Sequence, residues 1–148
     1  MISLAEETKV TDVFRVKEGK PVLLPFCDAQ IPAGFPSPAE DCGIERLNLN
    51  SYMIDHPIST YLVRVTGDSM TGRGIFDGDI LVVDRSLEPV SGKIVIAVVN
   101  GEFTVKEFWR VGNRVELRPA NPRFRIIKFD EGSELTVWGV VTGSVRKF

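Results

Sequence analysis

The sequence predicts a mainly β domain preceded by an extended N-terminal arm. Three observations predict it: short β-branched runs recur about every ten residues from Tyr61 onward, an Asn100-Gly101 pair sits between two such runs, and five of the nine prolines gather between Pro21 and Pro38. A length of 148 residues suits one domain of ordinary size. The expected division is an arm over residues 1–50 and a β-rich domain over 51–148.

In the arm, the run PVLLPFCDAQIPAGFPSPAED loses a backbone donor at every proline, and each proline biases its predecessor away from helix. Leu23, Leu24, Phe26, Ile31 and Phe35 are large apolar groups in that run, so the arm is expected to lie in a groove. A short helix is expected around Leu49 to Ile54, with Asn48 or Asn50 as its N-cap. Strands are then expected at 60–66 (TYLVRVT), at 79–84 (DILVVD) after the Asp77-Gly78 turn, and at 93–99 (KIVIAVV), which Asn100-Gly101 joins to 102–108 (EFTVKEF). Three more follow, at Arg114 to Arg118, at Arg125 to Phe129 after a Pro-Ala-Asn-Pro turn, and at Thr136 to Val141.

Several function classes are excluded by what the chain lacks. No stretch approaches the roughly 18 apolar residues of a membrane span, and MISLAEETKVTD is too acidic and broken for a signal peptide, so a soluble, cytoplasmic protein is expected. Cys27 and Cys42 have no CxxC spacing and are read as reduced thiols; no metal or cofactor is called for. A net charge of -2 is not the basic balance of a protein that neutralises phosphates. Residues 101–148 do hold 9 basic against 6 acidic groups, including Arg110, Arg114, Arg118, Arg123 and Arg125, but a solvated strand face is the expected reading and direct DNA binding is not expected. His56, the only histidine, precedes Pro57 in an expected loop, and a Ser-His-Asp triad would rest on it alone. No P-loop, HExxH or strand-linked GxGxxG is present.

What remains is a serine and a lysine. Ser69 comes off an expected strand end into the glycine-rich stretch Thr66-Gly67-Asp68-Ser69-Met70-Thr71-Gly72, where successive N–H groups can aim at one point as an oxyanion hole requires. If Asn100-Gly101 forms a two-residue turn, Lys106 faces Val95 and shares its sheet face with Ala97, Thr104 and Phe108. Desolvation there disfavours the ammonium form, which suits a general base. The alternatives are a turn serine and an edge-strand lysine that discourages aggregation.

At these residues the chain resembles the UmuD- and LexA-like family of self-cleaving serine peptidases, through GDSM at 67–70, GIFDGDILVVD at 74–84, GKIVIAVVNGEFTVKEF at 92–108, AGFPSPAED at 33–41 and, more weakly, VWGVV at 137–141. The resemblance implies a LexA-like catalytic β-domain with Ser69 as nucleophile, Lys106 as general base, the Met70 backbone N–H (with that of Ser69) as oxyanion donor, and Ala33-Gly34 as the scissile bond. It implies no cofactor. It further implies a RecA nucleoprotein filament as co-protease, a homodimer of the shortened product, and a UmuC-like Y-family DNA polymerase as partner in SOS mutagenesis. UmuD-like chains often carry Cys before the scissile Gly where this one has Ala33, as LexA proteins do. Cys42-Gly43 is a rival bond, but FPSPAED directly follows Ala33-Gly34. The first 20 residues match no part of the family pattern, and about 33 residues before the bond are too few for a repressor's helix-turn-helix domain. The reading from another class is a non-enzymatic β-domain that serves a polymerase or RecA as an accessory.

Overall fold

The computed structural model describes residues 5–26, 45–130 and 134–148, which form ten strands and a short helix. In chain order these are β1 (Lys9–Arg15), β2 (Leu23–Phe26), β3 (Glu45–Asn48), α1 (Leu49–Met53), β4 (Thr60–Thr66), β5 (Ile80–Asp84), β6 (Ile94–Val99), β7 (Glu102–Val111), β8 (Arg114–Arg118), β9 (Ile127–Phe129) and β10 (Thr136–Val145). The fold is mainly β, as the sequence predicts. Among the described residues no helix is long and apolar enough to cross a membrane.

The chain divides into two compact units, Met1–Lys17 with His56–Phe148, and Glu18–Asp55. In the smaller unit β2 pairs antiparallel with β3, Leu24 opposite Leu47, and Pro25 sits opposite Arg46 without a donor to give. Asn48 caps α1, its Oδ1 accepting the Asn50 N–H at 3.0 Å.

The larger unit holds an eight-stranded sheet in the order β1-β4-β5-β10-β6-β7-β8-β9. A further pairing of β1 with β7, Lys9 opposite Thr104, closes six of these strands into a ring from which β8 and β9 extend. Bulges between Val137 and Gly139 and between Val141 and Gly143 bend β10, which pairs with β6 through its first half and with β5 through its second. Two apolar clusters fill opposite faces of β6: Ile96 joins Val63, Val65, Met70, Ile75, Leu81, Val83 and Val105, while Val95 and Ala97 join Phe108, Leu117 and Val140.

The β6–β7 hairpin has the register that its turn demands. Asn100 (φ 49°) and Gly101 (φ 77°) both take left-handed backbone, the signature of a two-residue turn matched to strand twist. Val95 therefore lies opposite Lys106 and Ala97 opposite Thr104, as expected from the sequence.

The expected boundary at residue 50 differs from the observed division. Lys9–Arg15 is not arm but a strand of the main sheet. Its sequence KVTDVFR hides this, because a bulge between Val10 and Asp12 breaks the alternation and only Val10 turns a partly buried side chain inward.

Candidate active site

The loop after β4 is folded by three neighbours. Gly67 has φ +99°, a left-handed conformation that redirects the chain at the strand end. Asp77 Oδ1 accepts from Thr66 Oγ1 at 2.6 Å and from the Gly67 N–H at 3.1 Å, and these two donors hold its carboxyl below the usual range. From the other side the 119–123 turn braces the loop: the Ala120 N–H donates to the Ser69 carbonyl at 2.8 Å, and Asn121 Nδ2 donates to the Asp68 carbonyl at 2.9 Å. Met70 drives its fully buried side chain into the first apolar cluster and anchors the turn.

Ser69 and Lys106 meet. Both are fully buried, and Lys106 Nζ lies 3.1 Å from Ser69 Oγ across 37 positions of sequence. Thr104 Oγ1 and the Val105 carbonyl each lie 3.2 Å from the same nitrogen, so the strand that carries Lys106 also orients it. A fourth partner is the Glu7 carboxylate. Burial pushes the Lys106 pKa below its ordinary value of 10.5, and Glu7 opposes that shift by hydrogen bond and charge without reversing it. An amine that loses its proton readily, within reach of a hydroxyl, can act as a general base.

The N-terminal segment completes the site, and nothing in its composition announced it. The Thr8 N–H donates to Ser69 Oγ at 2.9 Å, and the Ser69 N–H donates to Thr8 Oγ1 at 3.0 Å. Glu7, Thr8, Ala120 and Asn121 escaped sequence reasoning because none lies in a motif and each reaches the site through the tertiary fold, while Asp77 lies in GIFDGDILVVD, where its sequence signals only a turn. Ala33, Gly34, Cys27, Cys42 and Gly43 lie outside the described residues.

The histidine has another use. Asp84 is the centre of its cluster: its Oδ2 lies 2.5 Å from His56 Nδ1, while its Oδ1 accepts from Ser59 Oγ at 2.8 Å and from Ser86 Oγ at 2.7 Å. Both serine hydroxyls point at the carboxylate rather than at the imidazole, so no base activates either serine and the group is not a triad. Burial alone would raise the Asp84 pKa, but the Ser86, His56 and Ser59 contacts outweigh it and bring the carboxyl down to about 2. A depressed carboxyl contributes stability above its unfolded pKa of about 3.9, lost as pH falls toward the folded value. Asp84→Ala should therefore lower unfolding stability at pH 7 by on the order of 2 kcal/mol, read by urea denaturation, with the difference shrinking below about pH 4.

The arginines of the C-terminal third are largely engaged locally. Arg118 pairs with Glu116 at 2.8 Å and lies over Trp109, Arg114 reaches Asp130 at 3.5 Å, and Arg110 lies over Phe108.

The model of a family described as Peptidase S24-like matches residues 25–142. The chain is 44% identical over 123 residues to protein SamA of Salmonella typhimurium, covering 83% of this chain and 85% of that one. It is 46% identical over 123 residues to protein MucA of Escherichia coli, covering 82% and 84%. It is 40% identical over 131 residues to the LexA repressor of Ectopseudomonas mendocina, covering 88% of this chain and 61% of the repressor.

Proposed function

From its membership of the peptidase S24-like family, to which this chain belongs, we propose that it is a self-cleaving serine endopeptidase of the SOS response that cuts its own Ala33–Gly34 bond. The observation that carries the reading is the 3.1 Å approach of Ser69 Oγ to the Nζ of a fully buried lysine.

In the proposed reaction, neutral Lys106 takes the Ser69 hydroxyl proton as Oγ attacks the Ala33 carbonyl carbon. Backbone N–H groups of Ser69 and Met70 receive the oxyanion, because they follow one another on the turn that Met70 anchors. Collapse of the tetrahedral species breaks the bond to Gly34, whose nitrogen takes the proton from Lys106. Water, deprotonated by the same amine, then attacks the Ala33 ester and frees Ser69. Ala33 and Gly34 are small, which lets the backbone enter a site walled by two strands and a tight turn.

A RecA filament on single-stranded DNA promotes docking of the bond, in the cytoplasm. The product, 34–148, forms a homodimer and joins a UmuC-like Y-family polymerase in translesion synthesis. These partners rest on the family resemblance, with the 44–46% identity to SamA and MucA in support. The accessory reading without catalysis leaves the buried Ser69–Lys106 contact without a purpose, since a charged group costs folding energy to bury.

Intact mass after incubation with a RecA filament tests the proposal. The parent should yield a fragment beginning at Gly34, and Ser69→Ala should stay whole. A fragment beginning at Gly43 would move the scissile bond to Cys42–Gly43, and equal behaviour of the two chains would favour the accessory protein.

A further inference from the structure

The cleft between the Ser69 loop and β7 already holds a peptide, and that peptide is the chain's own N-terminal segment. Glu6, Glu7 and Thr8 lie between the two walls. The Asp68 N–H donates to the Glu6 carbonyl at 2.8 Å, and the Val105 N–H and Thr104 Oγ1 both donate to the Thr8 carbonyl at 3.1 Å. The approach is close: a Cβ at Gly67 would collide with the backbone of Glu7 and Thr8. Thr8 is fully buried, and it is this segment that lies against Ser69 Oγ.

The register is that of an inhibitor, not a substrate. Acyl transfer needs a carbonyl carbon facing the nucleophile and a carbonyl oxygen at the oxyanion donors. Here Ser69 Oγ faces the N–H of Thr8, the Ser69 N–H is taken by the Thr8 hydroxyl, and the Thr8 carbonyl turns away to β7. At the same time the Glu7 carboxylate sits on Lys106 Nζ, where it favours the ammonium form, which cannot accept the serine proton. Ser69 Oγ, the Ser69 N–H and Lys106 Nζ are thus each held by a partner they must lose first.

We propose that residues Glu6–Lys9 are an intramolecular plug, seated in the peptide cleft, which blocks Ser69 through Thr8 and locks Lys106 through Glu7 and must leave before the Ala33–Gly34 bond can enter. This rests on the peptidase reading and names its regulation. The plug is built to open. The Glu7 side chain is 38% exposed, so water can reach its carboxylate on release, and the pairing of Val10–Arg15 with β4 does not use the plug residues. Activation is then a shift between seated and released plug, and the latent state is the more populated one.

The test uses full-length chains without RecA: parent, Glu7→Gln, Thr8→Ala, and each with Ser69→Ala. Glu7→Gln keeps the shape and removes the charge, and Thr8→Ala frees the Ser69 N–H. Each should raise the first-order rate of self-cleavage at pH 7 by about tenfold over the parent, with no fragment from any Ser69→Ala chain. Amide hydrogen exchange supplies a readout independent of cleavage: peptides covering Glu6–Lys9 should exchange slowly in the parent and faster in both variants. Rates and exchange equal to the parent's would overturn the plug while leaving the peptidase intact. If every chain stays whole at pH 10 and with RecA added, the peptidase reading fails and the plug's role fails with it.

Discussion

Lys106→Met should abolish self-cleavage and leave the fold as stable as the parent or more so. The lost step is proton removal from Ser69 and its return to the Gly34 nitrogen, so the expected loss is about 10²–10⁴-fold in rate, seen as an intact chain over any practical incubation. The stability half of the expectation comes from burial. Lys106 is fully buried beside Val95, and an unbranched apolar side chain of similar length fills its space without a charge to desolvate. Removing one partner of a buried pair usually strands the other, but the Glu7 carboxylate is partly exposed and can turn to water. Ser69 Oγ keeps the Thr8 N–H, and Thr104 Oγ1 keeps the Thr8 carbonyl. The midpoint of urea unfolding should be unchanged or rise by the equivalent of about 1 kcal/mol. A fall of several kcal/mol would mean that the lysine is retained for the fold and would count against a catalytic role.

The second large expectation is the pH profile. Only neutral Lys106 accepts the serine proton, so below its pKa the rate of RecA-independent cleavage should rise about tenfold per pH unit, then level off above it. Burial lowers that pKa from 10.5, so the plateau begins below the pH at which an ordinary surface lysine would titrate. Between pH 7 and the plateau the gain should therefore be large, up to about 10³-fold. A profile that is flat across that range would remove the lysine base. The same shift acts on folding with a definite sign: the native chain binds fewer protons at Lys106 than the unfolded chain does, so unfolding stability from this group increases as pH rises from the native pKa toward 10.5.

Much of the sheet was legible because its signals are local. The strands at Thr60–Thr66, Ile80–Asp84, Ile94–Val99 and Arg114–Arg118 lie where β-branched runs and turn residues put them, within a residue or so of the expected limits. Asn100-Gly101 did more, because a two-residue turn leaves one register, and the register alone puts Lys106 opposite Val95. The smaller unit was harder to read. Its prolines announced extended chain, but the pairing of Leu23–Phe26 with Glu45–Asn48 joins segments separated by residues 27–44, a connection too long for one turn pair to set the register. Lys9–Arg15 was missed outright, since a bulge scrambles its alternation and most of its side chains face solvent.

By itself the sequence determined the β architecture, the hairpin register and the face on which Lys106 lies, because turn chemistry and side-chain alternation act over a few residues. Only the tertiary structure decided what that face meets. Ser69 reaches Lys106 from the end of β4, and Glu7 and Thr8 arrive from 99 and 61 positions away, because β1 pairs with both β4 and β7 and so closes the ring. No local propensity encodes such a closure; it follows from burying the apolar faces of six strands at once, and the plug over Ser69 follows from it.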